Sequence, residues 1–282
     1  MTFQGALESW AASLPRSMPW RDTRDPWAIL VSETMLQQTQ VARVLPKYVA
    51  FLERFPDVSA AASAPVGAIV DAWSGLGYNR RAVLLHAAAH AVVRDHEGTF
   101  PASLAALLAL PGVGPYTARA ILAFAFEHDA AVLDTNVARV LARQHGRSLR
   151  AREAQALADA LVPPGRGWWW NQAMLDLGAL VCTKRAPCCG GCPVRGTCVW
   201  QGEGVDPAIG SAGVSAPQSP FAGSDRQGRG RLVDALRRGP VHGADLAVVM
   251  GWPDDAVRAG RVAATVVTDG LAMYAEETYL LP

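Results

Sequence analysis

The chain has 282 residues, half of them apolar and 18% charged, which excludes wholesale disorder and allows one large domain or two ordinary ones. Its 26 basic and 25 acidic residues leave a formal charge of +1, a balance that by itself argues against a partner rich in phosphate. No apolar run nears the ~18 residues an ordinary transmembrane helix needs, so no membrane association is expected.

The amino terminus lacks a basic region followed by an apolar run, so no secretory leader is expected and the compartment reads as cytoplasmic. From about residue 27 to 200 the pattern is helical. Ala28, Ile29, Val31, Met35 and Leu36 recur at near-helical spacing, as do Val41, Val44, Leu45, Tyr48 and Leu52. Pro26, Pro56, Pro65 and Pro101 punctuate the segments, and Gly75–Gly77 and Gly112–Gly114 mark tight turns. Residues 110–122 read LPGVGPYTARAIL: Gly112, Val113 and Gly114 form a turn, and Pro115 opens the following helix. Backbone N–H groups at such a joint can hold a phosphate without any side-chain charge, although the same pattern also makes an ordinary αα-turn. The run Trp168–Trp170 reads as core packing rather than base stacking.

All five cysteines lie between residues 182 and 198. Cys182, Cys189, Cys192 and Cys198 are spaced C-x6-C-x2-C-x5-C, and Cys188 is left over. Four thiolates on a short loop suit tetrahedral zinc or a cubane iron–sulfur cluster. A zinc ribbon usually shows two C-x2-C knuckles and this loop has one, which tilts the reading toward iron–sulfur without deciding it. Lys184, Arg185 and Arg195 on the same loop form either a phosphate clamp or a solvated basic surface.

After Trp200 the composition changes. Residues 203–224 are rich in Gly, Ser, Ala and Pro without periodicity and read as a flexible linker. Residues 225–282 show helical patterns over 226–238, 243–250 and 254–268, then an Asp269–Gly270 turn and a short hairpin over Leu271–Leu281. Three helices and a hairpin suit a small winged-helix-like module. Residues 1–202 carry 19 basic and 15 acidic residues, and residues 203–282 carry 7 and 10.

Taken together with SETMLQQTQV (32–41), GLGYNRRA (75–82), LDTNVARVLAR (133–143) and NQAMLDLGALVC (171–182), these features closely resemble the A/G-specific adenine DNA glycosylases (MutY type) of the helix-hairpin-helix glycosylase superfamily. The resemblance runs from about Trp20 to Trp200. It implies a mainly α, two-lobed helix-hairpin-helix fold over 1–202. It fails after the linker, where many members carry a Nudix-like domain of over a hundred residues and this chain offers only the short winged-helix-like module at 225–282. It implies a 4Fe–4S cluster on Cys182, Cys189, Cys192 and Cys198. It also implies a monomeric enzyme that excises adenine mispaired with 8-oxoguanine or guanine in double-stranded DNA and so initiates base excision repair.

Breaking an N-glycosidic bond calls for a proton at the leaving base and stabilisation of a cationic sugar, work suited to two carboxylates in different environments. Glu33 sits in an apolar helical stretch, where desolvation should raise its pKa, and matches the family's general acid. Asp134, just before a helix, matches the carboxylate that stabilises the sugar cation and is also suited to capping that helix. Asn136 matches an orienting amide. Tyr116 stands where bifunctional members such as endonuclease III have a Schiff-base lysine. Because Lys47 and Lys184 are the only lysines, a monofunctional enzyme is expected. Arg21 and Gln172 match the adenine pocket. Gln38, Thr39, Leu76 and Tyr78 match residues facing the orphaned base, with Tyr78 as intercalating wedge and Asn79 where many members have a second tyrosine. Two alternatives carry weight: a thymine or uracil mismatch glycosylase of the same superfamily, and a non-catalytic iron–sulfur DNA-binding regulator.

Overall fold

Proline and side-chain caps start the helices close to where the sequence places them. The structure, a computed structural model, describes residues 2–14, 17–214 and 220–282. Helix α1 (Phe3–Ala11) starts on Thr2, whose hydroxyl accepts from the Gly5 N–H. Helix α2 (Pro26–Leu36) starts on a proline, and the Asp25 carboxylate accepts from the N–H groups of Trp27 and Ala28. There follow α3 (Val41–Arg54), α4 (Val58–Ser63), α5 (Val66–Ala72), α6 (Arg80–His96), α7 (Leu104–Ala109), α8 (Pro115–Phe124), α9 (Thr135–His145), α10 (Ala151–Leu161) and α11 (Gly167–Asp176), the last running into a π-helical turn at Leu177–Val181. The carboxy-terminal part adds α12 (Asp225–Leu236), β1 (Val241–His242), α13 (Leu246–Met250), α14 (Ala256–Thr268), β2 (Met273–Ala275) and β3 (Thr278–Leu280).

The chain divides into two compact units. The first holds the described residues of 1–29, 102–105 and 114–217. Its core gathers Leu7, Leu141, Trp170, Met174 and Leu177, and Phe3 meets Trp170 edge-on with ring centroids 5.7 Å apart. Trp170 is thus a core residue, as expected. Its neighbours differ: the Arg24 guanidinium lies 4.5 Å from the Trp168 ring and the Arg166 guanidinium 4.5 Å from that of Trp169.

The segment read as a flexible linker from residue 203 is held in its first half. Asp206 pairs with Arg143 at 2.7 Å, Ala208 and Ser211 are buried, and the Leu149 N–H donates to the Ser211 hydroxyl at 3.1 Å. Low apolar content misled the reading, because polar bonds rather than apolar area tie this stretch down. Residues 215–219 of the expected linker lie outside the described residues.

The second unit holds the described residues of 30–101, 106–113 and 218–282. Phe51 packs perpendicular to Trp73 with centroids 6.0 Å apart, among buried Val44, Ile69 and Val92. Within this unit the carboxy-terminal module shows the winged-helix-like arrangement expected. It runs helix, strand, helix, helix, strand, strand, and its antiparallel sheet has the order β1-β3-β2. Val241 pairs with Tyr279, and Tyr274 pairs with the same Tyr279 from the other side. Leu232, Met250, Val262 and Val266 fill the core of this module. Arg237 fastens it to the rest of the unit by donating to the Val70 carbonyl at 2.8 Å and to Asn79 Oδ1 at 3.3 Å. Among the described residues no helix is long and apolar enough to cross a membrane.

Candidate functional site

In the first unit the candidate residues gather around the head of α9. Asp134 is its N-cap: Oδ1 accepts from the N–H groups of Asn136 and Val137 at 2.8 and 2.7 Å, and Oδ2 accepts from Asn136 Nδ2 at 2.7 Å. Burial pushes the Asp134 carboxyl upward in pKa, against the opposing pull of these three hydrogen bonds and of Arg139. The carboxylate expected to take part in the chemistry is therefore also the cap of α9. The segment leading to Asp134 is held by Asn171 of α11, whose Oδ1 accepts from Val132 N–H at 2.7 Å and whose Nδ2 donates to the Ala130 carbonyl at 2.8 Å.

Two arginines that the sequence reading passed over organise this region. Arg139 donates to Asn136 Oδ1 at 2.8 Å, to the Gly178 carbonyl at 2.7 Å and to the Cys182 carbonyl at 2.8 Å. The close approach of Gly178 requires a glycine, since a Cβ there would stand 2.6 Å from Asn136 Cβ. One turn along α9, Arg143 is 2% exposed in its side chain. It pairs with Asp206, donates to the Thr183 carbonyl at 2.8 Å and to Cys182 Sγ at 3.3 Å, and lies 4.6 Å from the Trp200 ring. Burial works against its charge, but Asp206 and Cys182 outweigh burial and raise its pKa. The available signal was the i, i+4 spacing of two arginines on an otherwise apolar helix face.

The four spaced cysteines and Cys188 line one cavity together with Val140, Leu177 and Val194. Burial, then the neighbouring Cys182 and Cys198, pushes the Cys189 thiol up. Cys192 is raised first by burial as well. Such crowding disfavours free thiolates and suits a site whose charge a metal centre offsets. Among the described residues no three His, Cys, Asp or Glu side chains converge as a single-ion site requires. Cys188 is exposed, as are Lys184, Arg185 and Arg195.

Arg21 makes a bidentate pair with Asp176 at 2.9 and 2.8 Å, a partner 155 residues away that the sequence did not reveal. Gln172 is buried one turn earlier on α11. Tyr116 is half-buried at the start of α8, just after Gly114, the N-cap of that helix.

In the second unit Glu33 lies on α2, 6% exposed, between buried Ser32 and Thr34. The residues expected at the orphaned base converge around Arg81, a third arginine missed in the sequence. Its guanidinium donates to the carbonyls of Thr34, Gln37 and Gly77 at 2.7, 2.6 and 3.0 Å and to the Thr39 hydroxyl at 3.1 Å. Burial lowers its pKa to about 10. Gln38 and Tyr78 both adopt left-handed backbone, with φ of 56° and 46°. Strained residues of this kind cluster at functional loops. Tyr78 is 42% exposed, whereas Leu76 is 2% exposed and contributes its carbonyl, which accepts from Arg81 at 3.3 Å.

Gly112 has φ of 73°, and a Cβ there would stand 2.7 Å from Leu84 Cβ. The Val113 N–H closes the turn on the Leu110 carbonyl at 3.1 Å, so of the three expected phosphate donors Val113 is already engaged.

Residues 31–216 match the family described as HhH-GPD superfamily base excision DNA repair protein. The adenine DNA glycosylase of Mycolicibacterium smegmatis is 41% identical over 94% of this chain and 90% of its own length. The human adenine DNA glycosylase is 40% identical over 70% of this chain and 39% of its own. Among solved structures, a thermostable thymine-DNA glycosylase superposes with a TM-score of 0.68 at 32% identity, covering 71% of this chain and 94% of that one. A trapped endonuclease III–DNA covalent intermediate superposes with a TM-score of 0.62 at 22% identity, covering 71% and 97%.

Proposed function

The chain belongs to the HhH-GPD superfamily of base excision DNA repair proteins, within it to the MutY-type adenine DNA glycosylases, and from that premise we propose that it removes adenine mispaired with 8-oxoguanine or guanine. It is an N-glycosylase of base excision repair; which mispair it acts on is our reading. The observation that carries the mechanism is Asp134, a carboxylate fixed by three hydrogen bonds at the amino end of α9. A carboxylate oriented in advance stabilises a developing sugar cation without reorganising when the bond breaks. Glu33, a carboxyl buried on α2, delivers the proton to the leaving adenine. Asn136 orients Asp134, and Arg21 and Gln172 define the adenine pocket. Gln38, Thr39, Leu76 and Tyr78 meet the orphaned base. Tyr116 in place of a lysine leaves no amine at that position for a Schiff base, which supports a monofunctional reaction without strand cleavage.

Cys182, Cys189, Cys192 and Cys198 would hold a 4Fe–4S cluster. The residues fit it: the thiols line one largely apolar cavity, and Arg143 donates to Cys182 Sγ, as suits an anionic cluster. When bound, the cluster would supply structure to the loop that carries Lys184, Arg185 and Arg195. We further read residues 1–202 as the catalytic region and 225–282 as a separate module that stands where relatives have a Nudix-like domain.

Single-turnover incubation with duplexes holding A:8-oxoG, A:G, T:G or U:G tests the reading. Release of adenine from the first two, with no strand break before alkali, is the expected result. The likeness to a thymine-DNA glycosylase favours one rival. Release of thymine but not adenine would establish that rival and overturn our reading.

A further inference from the structure

In the run Trp168–Trp170 at the start of α11, Trp170 is in the core and Trp169 packs against it, whereas Trp168 does neither. The Trp168 ring is half-buried, and the Arg24 guanidinium lies 4.5 Å from its centroid. Arg24 belongs to the segment between the 3-10 turn Pro19–Arg21 and α2. Its Nε donates to Glu127 Oε1 at 2.6 Å, and its Nη1 donates to the carbonyls of Thr23 and Arg21 at 3.2 and 3.4 Å. One guanidinium thus ties the backbone that carries Arg21 to a ring and a carboxylate.

The surroundings of Arg24 are fixed by backbone bonds. Asp129 accepts from the N–H groups of Gly165, Arg166 and Gly167 at 2.7, 3.1 and 3.0 Å, which moors the head of α11 to the loop holding Glu127. Gly167 admits no side chain, because a Cβ there would stand 2.1 Å from the His128 carbonyl oxygen. That close approach brings the next residue, Trp168, to the same guanidinium as Glu127. The other end of α11 is Asp176, whose carboxylate makes the bidentate pair with Arg21. From Trp168 to Asp176 is about 12 Å of helix at 1.5 Å per residue, and buried Gln172 lies midway. A single helix therefore grips the segment at two points, Arg24 at its head and Arg21 at its end. The Arg24 and Glu127 side chains are 43% and 59% exposed, and an ion pair so open to water adds little to stability. What it supplies is geometry.

We propose that Arg24 and Trp168 are positioning residues of the excision reaction. Stacked together at the head of α11, they hold the segment before α2 so that Arg21 and Gln172 meet the extruded adenine from fixed places. The inference rests on the reading of Arg21 and Gln172 as the adenine pocket. Placement matters here because a shift of about 1 Å in a group that orients a substrate can slow a reaction about a hundredfold.

The test is single-turnover release of adenine from an A:8-oxoG duplex at saturating enzyme, with duplex Kd measured separately in a Glu33→Gln background. Arg24→Ala and Trp168→Ala are each expected to lower the rate constant about tenfold and to leave Kd within about twofold, since phosphate contacts dominate duplex affinity. Trp168→Phe keeps an aromatic face for the guanidinium and regains most of the rate. Because Arg24 acts through Arg21, Arg24→Ala adds no further loss in an Arg21→Ala background, whereas a merely structural role would show its full effect in both. Arg166→Ala removes a guanidinium stacked on Trp169 and paired with Glu8, the same chemistry without the link to Arg21, and leaves the rate unchanged. Should Trp168→Ala fail to fold, Arg24→Ala at its exposed position carries the test. A parental rate in Arg24→Ala beside a slow Arg21→Ala would overturn the proposal and leave the pocket reading intact. Additive losses in the double variant, or an equal loss in Arg166→Ala, would overturn it as well. A parental rate in Arg21→Ala would instead overturn the pocket reading, and the positioning role with it.

Discussion

Arg139 and Asn136 are joined by a 2.8 Å hydrogen bond from guanidinium to amide oxygen, and the same guanidinium holds the carbonyls of Gly178 and Cys182. Asn136 then donates to Asp134. One buried cation thus connects the carboxylate at the head of α9 with the first residue of the cysteine loop. The loop and this carboxylate share a support although Asp134 and Cys182 are 48 residues apart in sequence.

Arg139→Met should therefore be costly twice. It removes the Arg139 donor from the Asn136 amide oxygen and the Gly178 carbonyl and leaves the Cys182 carbonyl only the longer 3.3 Å bond from Arg143, a loss of about 3 kcal/mol in urea unfolding. Excision should fall beyond what the loss of folded protein explains, because Asn136 no longer holds Asp134 in orientation. Parental excision per folded molecule would show that the amide's orientation does not matter.

Asp134→Ser separates capping from chemistry. Serine also accepts from the N–H groups of a helix start, so stability should stay within about 1 kcal/mol of the parent. The excision rate should fall by about 10²–10³, as on losing a preorganised electrostatic group. Burial raises the Asp134 pKa, so as pH falls the folded protein takes up this proton before the unfolded chain does. The group's contribution to stability is therefore greatest below its unfolded pKa and is lost as pH rises through the folded value. Excision, which needs the ionised form, should lose rate on the acid side at a pH above the ordinary aspartate range of about 3.9. A parental rate in Asp134→Ser would end the assignment.

Arg81→Met should destabilise the second unit by about 4 kcal/mol, since it orphans several buried carbonyls at the end of α2 and in the turn before α6. Arg81→Lys should recover part of this, having three donors in place of the planar fork. Opposite-base discrimination, taken as the ratio of excision rates for A:8-oxoG and A:G, should narrow in both as the Thr39 hydroxyl and the Gln37 carbonyl, on either side of Gln38, lose their support. An unchanged ratio in the lysine variant would remove Arg81 from specificity.

Among the cysteines, Cys182→Ser, Cys189→Ser, Cys192→Ser and Cys198→Ser should lower iron content and visible absorbance after anaerobic purification. Cys188→Ser, at an exposed position, should keep both. Iron-free parental protein, or loss of iron on replacing Cys188 alone, would refute the ligand assignment.

The tail illustrates how far patterning reaches. Helical periodicity over 226–238 and 254–268 anticipated α12 and α14 to within about two residues, and the Asp269–Gly270 turn led into the hairpin. The stretch from 203 read as a linker because composition reports apolar content, whereas Asp206 and Ser211 hold it by polar bonds to Arg143 and Leu149. Net charge misled in the same way. A sum over the chain says nothing of the five arginines (Arg43, Arg80, Arg81, Arg226 and Arg229) that line one groove of the second unit.

Family motif and cysteine spacing, with Tyr116 in place of a lysine, were legible in the sequence alone, because each depends on residue identity at short range. The arginines that hold these pieces in register were not. In a sequence Arg81, Arg139 and Arg143 look like solvent-facing charges, since a guanidinium is stable in water unless something better is offered. What makes their burial tolerable is carbonyls such as those of Thr34, Gly178, Cys182 and Thr183, groups that every residue carries and that only the folded chain aims at a common point. Arg226 reaches Tyr78 across 148 residues for the same reason: the pair exists only once α12 is set against the turn before α6.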